Sequence, residues 1–203
     1  MVYLDDLLKA DDFVGAVNGL VEDFMKEHGL DHVHQLGLVV QDVEKAAEKL
    51  EEKGFGPFFI AKGAPVYWIE KGKSKSVSGK MGLAYHEGVE LELLEPLDGS
   101  DFYTRSLDAE GRVVVQHLGF LVKGVDTWVN LAENTGMPLW VRGQLKAWPS
   151  TTEFAYMEPL EASGLIMEFI NWQIFGFSIT PPQRLFKTMG RIEKLTGKRS
   201  ISL

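Results

Sequence analysis

The spacing of hydrophobic residues changes along the chain, and each change predicts a new element. Apolar residues recur every three or four positions over 3–28, which predicts a helical extension that stops at Gly29. The Val- and Leu-rich stretch 32–40 predicts a strand. Asp42 then caps an amphipathic helix that ends at Gly54. The short strands predicted after this helix cover 57–60, 66–69, 81–85 and 89–94.

The same succession of patterns returns in the second half of the chain. Gln-Leu-Gly-Leu-Val-Val-Gln-Asp-Val at 35–43 matches His-Leu-Gly-Phe-Leu-Val-Lys-Gly-Val at 117–125, and Gly-Val-Glu-Leu-Glu at 88–92 matches Gly-Leu-Ile-Met-Glu at 164–168. Such self-similarity predicts two tandem βαβββ modules and an α+β fold. The predicted regions are an N-terminal helical extension over 1–30, a first module over 31–97, a linker over 98–111, a second module over 112–171 and a C-terminal helical tail over 172–203.

The amino-acid composition argues against several classes of function. The 203 residues carry a net charge of −8, which argues against a general nucleic-acid binder because phosphates need basic surface. The chain has no cysteine, so a metal ion has only His, Glu, Asp or Gln side chains as ligands. The acidic start does not suit a signal peptide, and no apolar run reaches the length of a membrane span. We therefore expect a cytoplasmic protein without membrane contact.

Polar residues occupy matching positions in the two predicted modules: Gln35 and Glu92 in the first, His117 and Glu168 in the second. Glu168 interrupts an apolar strand, where an unpaired carboxylate is costly to bury. A lone strand histidine is more often structural, and a buried glutamate is more often part of an ion pair. The symmetry of the four positions nevertheless favours one metal site between the modules.

These motifs resemble those of the vicinal oxygen chelate superfamily, which includes glyoxalase I, methylmalonyl-CoA epimerase, bleomycin-resistance proteins and extradiol dioxygenases. The resemblance covers about residues 31–171. It lies in the ligand-x-Gly-x-x-Val-x-Asp pattern at 35–42, in Glu-Leu-Leu-Glu-Pro-Leu at 92–97, which is very like epimerases, and in the strands at 117–122 and 164–169.

The resemblance implies a curved mixed sheet around a metal cleft, in which Gln35, Glu92, His117 and Glu168 hold one divalent ion (Zn, Ni, Co, Mn or Fe). Glu168 and Glu92 would be the catalytic carboxylates. Many members have His where this chain has Gln35, whereas glyoxalase I of the animal type has the same set of Gln, Glu, His and Glu. The implied function is a metal-dependent isomerase, epimerase or lyase that enolises a carbonyl or thioester substrate.

The implied substrates are CoA thioesters, glutathione adducts or similar carbonyl compounds, and homodimers are common in the superfamily. Two alternatives stay open: a metal-free small-molecule binding protein of the bleomycin-resistance type, and an extradiol-type dioxygenase, for which one His is a poor match. The basic tail is a further candidate for contact with an anionic substrate. Candidate anchoring cations are Arg142, Lys146 and Lys187, and candidate pocket-lining aromatics are Tyr85, Trp140, Phe154 and Tyr156.

Overall fold

The computed structural model describes residues 1–159, 164–197 and 199–202; the rest of the predicted second module and tail lies outside the described residues. The α-helices are α1 Leu4–Leu7, α2 Phe13–Gly19, α3 Glu22–His28, α4 Val43–Glu52, α5 Val125–Asn134 and α6 Gln183–Thr196. The strands are β1 Val2–Tyr3, β2 Gln35–Val39, β3 Phe59–Gly63, β4 Tyr67–Glu70, β5 Lys73–Ser74, β6 Ser78–His86, β7 Val89–Asp98, β8 Val114–Leu121, β9 Leu139–Ala147, β10 Ser150–Met157, β11 Ile166–Ile174, β12 Phe177–Ser178 and β13 Ile201–Ser202.

One curved mixed sheet joins both halves of the chain, in the order β13-β3-β6-β7-β2-β8-β11-β10-β9-β4-β5. Strands β3-β6-β7-β2 and β9-β10-β11-β8 form two sets of the same internal order. The two sets meet where β2 and β8 pair antiparallel, while β2–β7 and β8–β11 pair in parallel. The α+β fold predicted from the repeat is confirmed.

The N-terminal extension differs from the helix predicted over 3–28. It consists of three short helices, and β1 in front of them pairs with β8. The break before α2 has a local cause, since the Asp12 side chain accepts a hydrogen bond from the Gly15 N–H at 2.8 Å and caps a new helix. Gly29 ends α3 with a positive φ of 66°, as its position predicted.

The β4–β5 hairpin leaves the first module and joins the second. A strand was predicted near this position, but its partner was not: β4 pairs antiparallel with β9, and Trp68 lies opposite Gly143. Trp68 is buried in an aromatic cluster that also contains the fully buried Phe102 from the predicted linker. The inserted hairpin and the linker therefore pack against the second half of the sheet.

The C-terminal helix α6 packs against the first half of the sheet. Glu193 is buried and accepts a hydrogen bond from the backbone N–H of Ile60 at 2.9 Å. Gly190 leaves no room for a side chain, because an added Cβ would lie 2.8 Å from the backbone of Phe58. None of the six α-helices in the described ranges is long and apolar enough to cross a membrane.

Candidate metal centre

Strand register brings the predicted site residues to the centre of the sheet. Gly37 on β2 lies opposite both Glu92 on β7 and His117 on β8. The missing side chain at Gly37 makes space for the histidine, since a Cβ there would lie 1.8 Å from Cε1 of the His117 ring. Glycine at this position therefore lets the imidazole lie across the seam between the two halves.

The second half repeats this arrangement around Gly119. Gly119 on β8 lies opposite Gln35 on β2 and Glu168 on β11. A Cβ at Gly119 would lie 2.9 Å from Oε1 of Gln35. The two glycines thus play matching roles, each making space for the polar side chain of the other half.

Three of the four predicted ligands form a compact cluster. Nε2 of His117 lies 3.2 Å from Oε2 of Glu168 and 3.5 Å from Oε2 of Glu92. One ligand atom from each residue lies within 4.8 Å of the other two. His117 is fully buried, Glu168 is buried, and the Glu92 side chain is 12% exposed. Gln35 lines the same cavity as both glutamates.

The free ligand atoms of this cluster fit a cation. Nε2 of His117, Oε2 of Glu168 and Oε1 of Gln35 are buried and form no hydrogen bond within the part of the chain that the structure describes. The side chains of His117 and the two glutamates are therefore close together but are not aligned for a hydrogen bond. Buried polar atoms of this kind need a partner, and imidazole nitrogen with carboxylate and amide oxygens is a suitable donor set for a divalent ion.

The orientation of the His117 ring is set by its neighbour. Gln116 donates its amide N–H to the backbone carbonyl of Phe102 at 2.8 Å, so its oxygen faces the ring and lies 3.1 Å from Nδ1 of His117. Nδ1 therefore carries a hydrogen, and Nε2 is directed at the two glutamates. A partner of this kind orients metal-binding histidines in general.

The two glutamates also dominate the electrostatics of the cluster. Burial opposes a charge on His117, but the nearby carboxylates of Glu168 and Glu92 outweigh it and raise the pKa of the imidazole to about 9. Burial raises the pKa of Glu168 above its ordinary value, and the nearby charge of His117 opposes this shift only in part. The cluster is therefore negative enough to hold positive charge, as a proton or as a metal ion.

A cavity of about 100 Å³ opens beside the cluster, with room for several water molecules. Trp68, Phe154 and Tyr156 form an aromatic wall, and Tyr103 completes it with its hydroxyl 2.9 Å from that of Tyr156. The prediction that Phe154 and Tyr156 line a pocket agrees with this geometry. Tyr103 comes from the predicted linker, where the Phe-Tyr pair among polar residues was its only signal.

A second cavity of about 80 Å³ lies beneath the C-terminal segment. Pro181 and Phe186 line it together with His34, Glu90 and Glu92. The tail therefore does lean over the site, although none of its basic side chains among the described residues lines either cavity.

The other candidates lie elsewhere. Arg142 binds Asp126 at 3.0 Å and the backbone carbonyl of Phe154 at 3.0 Å, and it lines neither cavity. Neither Lys146 nor Lys187 lines them. The remaining predicted pocket-lining residues, Trp140 and Tyr85, lie outside both linings. Among the residues described, Lys80 is the one cation of the larger lining, and it is paired with Glu95 and Glu44.

A family model for the Glyoxalase/Bleomycin resistance protein/Dioxygenase superfamily matches residues 34–156, and the chain belongs to this superfamily. Similar solved structures include methylmalonyl-CoA epimerase from Mycobacterium tuberculosis, with 17% identity, 68% of this chain and 85% of that chain covered, and a TM-score of 0.44. A variant of the Streptomyces coelicolor epimerase, in complex with 2-nitronate-propionyl-CoA, has 16% identity, 70% and 96% coverage and a TM-score of 0.45.

A variant of 4-hydroxymandelate synthase from Streptomyces coelicolor has 16% identity, covers 81% of this chain and 54% of that chain, and has a TM-score of 0.46. No curated protein sequence matches the chain. Members of the superfamily have several different functions, so the reaction of this chain has to be inferred from the side chains of its site.

Proposed function

We propose that the chain is a metal-dependent isomerase, epimerase or lyase that enolises a carbonyl or thioester substrate. The observation that supports this most is the buried cluster of Glu92, His117 and Glu168, whose ligand atoms converge beside a cavity. Together with Gln35, these side chains would hold one divalent ion of Zn, Ni, Co, Mn or Fe. Such an ion would act as a Lewis acid that polarises the carbonyl oxygen of the substrate.

Glu168 is the proposed base that removes the proton from the carbon next to the carbonyl. It lines the cavity, it lies opposite Tyr156 of β10, and its Oε2 lies 3.2 Å from Nε2 of His117. Burial raises its pKa above the ordinary value of a carboxyl group, which makes it a stronger base once it is ionised. The proton that Glu168 takes is then returned to the same or to the neighbouring carbon, so that the reaction is an isomerisation without net loss of atoms.

Glu92 is the second catalytic carboxylate in this proposal. It occupies the slot in the first half that corresponds to Glu168 in the second, and it lines the same cavity. Two carboxylates on opposite sides of a bound substrate can deliver and remove a proton from opposite faces. This arrangement supports epimerisation as well as transfer of the proton to a neighbouring carbon.

The cavity walls indicate which part of a substrate would enter. The aromatic side chains Trp68, Tyr103, Phe154 and Tyr156 offer apolar surface and exclude water from the reacting atoms. Among the described residues that line the cavity, the one cationic side chain is Lys80, which already forms an ion pair with Glu95. A CoA thioester or a glutathione adduct would therefore enter with its reacting acyl or carbonyl end, leaving its charged groups outside the cavity.

One observation favours a different function. The carboxylates of Glu92 and Glu168 stabilise a charged His117 without a metal ion. The cluster is therefore also compatible with a buried ion pair in a metal-free binding protein. Metal content separates the two functions. An extradiol-type dioxygenase fits less well, because the cluster contains one histidine where that chemistry uses two.

The test begins with metal analysis of protein purified without added metal and after supplementation with each candidate ion. We expect about one ion per chain in the wild type, and loss of the ion in Glu168→Gln. Glu153→Gln is the matched control, because Glu153 lies on β10 outside both cavity linings. Absence of metal from the wild type under every supplementation would refute the enzyme and support the binding protein.

The reaction is then tested with racemising CoA thioesters and with glutathione hemithioacetals in D₂O. Enolisation predicts that deuterium enters the carbon next to the carbonyl, and that Glu168→Gln abolishes this exchange while Glu153→Gln retains it. Exchange in the thioester alone indicates an epimerase, and product from the hemithioacetal indicates a glyoxalase. Metal-loaded protein without exchange in any carbonyl substrate would contradict the proposed chemistry.

A further inference from the structure

We propose that Glu90 is a positioning residue that turns the amide of Gln35 so that its oxygen, and not its nitrogen, faces the metal ion. This inference rests on the proposed function, because it assigns a role toward the ion held there. Glu90 is buried, and neither the repeat nor the motifs of the sequence assign it a role.

Register places three polar side chains next to one another on adjacent strands. Glu90 on β7 lies opposite Gln35 on β2 and opposite Tyr85 on β6. Nε2 of Gln35 donates a hydrogen bond to Oε1 of Glu90 at 2.6 Å, and the hydroxyl of Tyr85 donates to Oε2. Both oxygens of the buried carboxylate are therefore used, which offsets the cost of burying it.

The chemistry of the carboxylate decides which end of the amide it binds. Oε2 of Glu90 accepts from the Tyr85 hydroxyl and Oε1 accepts from Nε2 of Gln35, so the end of Gln35 that faces Glu90 is the NH₂ group. The amide oxygen then points away from Glu90. It lies beside Gly119, and it has no hydrogen-bond partner in the described ranges. An amide nitrogen is not a ligand for a divalent cation, whereas an amide oxygen is, so this orientation is needed for ligation.

The two halves of the site differ at this position. In the alignment of the two modules, Ile166 occupies the place of Glu90. The first half has an amide that needs orienting and an acceptor beside it, whereas the second half has a histidine oriented by Gln116. Each neutral ligand of the proposed set thus has its own partner that directs the correct atom inward, as is usual around metal ions.

Substitution of Glu90 by leucine removes the acceptor and puts an apolar side chain of similar size in its place. We expect Glu90→Leu to weaken the affinity for Zn²⁺ or Co²⁺ by about 10- to 100-fold, the usual loss when the partner of a ligand is removed. Glu90→Gln keeps an acceptor oxygen and should lose less. Ile166→Leu is the matched control at the equivalent position of the other half, and we expect it to bind like the wild type.

The double variant Gln35→Glu/Glu90→Leu tests orientation itself. A carboxylate presents oxygen whichever way it turns, so it needs no orienting partner, and the double variant should recover most of the affinity lost in Glu90→Leu. Affinities come from calorimetric titration, and the visible spectrum of bound Co²⁺ reports whether the ligand set is retained. Wild-type affinity in Glu90→Leu, or a double variant as weak as the single one, would overturn the proposal.

A measurement on the metal-free protein separates this inference from the proposed function. The Gln35 side-chain amide protons should exchange slowly in ¹⁵N-resolved NMR spectra of the wild type and quickly in Glu90→Leu. Fast exchange in the wild type would refute the orientation, whatever the metal affinity. Slow exchange in a wild type that binds no divalent ion would refute both the metal site and the role of Glu90 toward it, and would leave the hydrogen bond as a structural one.

Discussion

Substitution of Gly37 by alanine tests the central contact of the site. The new Cβ would lie 1.8 Å from Cε1 and 1.9 Å from Nε2 of His117, whereas non-bonded carbon atoms prefer separations of about 3.5–4.0 Å. The imidazole would have to move by roughly 2 Å to restore that separation. It is fully buried and lies with its ring centroid 5.0 Å from that of Tyr156, so little space is open to it.

Overpacking of this kind usually costs about 1–3 kcal/mol. In a chain of this size, that cost lowers the melting temperature by roughly 2–12 °C. Displacing the imidazole by this distance also removes Nε2 from its place between Glu92 and Glu168, and we expect at least roughly tenfold weaker metal binding. Thermal unfolding in the presence of a chelator and calorimetric titration with Zn²⁺ measure the two effects separately.

Two glycine variants serve as comparisons. Gly119→Ala meets Cδ1 of Ile170 at 2.8 Å, Oε1 of Gln35 at 2.9 Å and Cβ of Gln35 at 3.0 Å, and because these contacts are less severe than the 1.8 Å contact at Gly37, its effects should be smaller. Gly19→Ala meets nothing within 4 Å and should be neutral or slightly stabilising. A Gly37→Ala protein with the stability and metal affinity of the wild type would refute the steric argument and the proposed place of His117 in the site.

Three further outcomes are expected. Gln116→Leu removes the acceptor of Nδ1 of His117 and should weaken metal binding by about 10- to 100-fold in the same titration; unchanged affinity would show that the ring is oriented by other contacts. Trp68→Ala empties the centre of the aromatic cluster and should reduce the free energy of unfolding by about 3–5 kcal/mol in urea; a loss below about 1 kcal/mol would mean that the inserted hairpin packs only weakly. The hydrogen bonds from Arg112 lower the pKa of Asp108 to about 2, so its stabilising contribution is present above about pH 4 and lost as the pH falls toward 2; Asp108→Asn should lack this component of the pH dependence of unfolding, and an unchanged profile would contradict it.

Local patterns predicted most elements of the two halves. The helix expected after Asp42 is observed over Val43–Glu52, and its cap is the predicted one, with the Asp42 side chain accepting from the N–H of Lys45. The strand expected over 32–40 is observed as Gln35–Val39. Caps and alternating apolar residues act over a few positions, and for this reason they can be recognised without knowledge of the rest of the fold.

The partner with which each strand pairs was harder to predict from the sequence. The sequence predicted a strand near Trp68 but did not indicate that it would cross to β9, because pairing depends on the shape of both halves and not on the strand itself. The helix predicted over 3–28 was wrong in its continuity, since Asp12 can cap a new helix as well as lie within one. Tyr103 lies in the predicted linker and lines the cavity. Its position there also depends on contacts between parts of the chain that are distant in sequence.

The sequence by itself determined that the module is duplicated, that Gly37 and Gly119 occupy equivalent positions, and that polar residues recur at matching positions of the two modules. These polar residues are Gln35, Glu92, His117 and Glu168. These follow from the two-residue period of a strand and from the repeat, which are local properties. Only the tertiary structure decided that Glu90 binds the amide of Gln35, that aromatic side chains close one side of the larger cavity and that the C-terminal segment covers the second cavity. Those contacts join residues far apart in the chain, and they depend on register and side-chain packing, which no local pattern records.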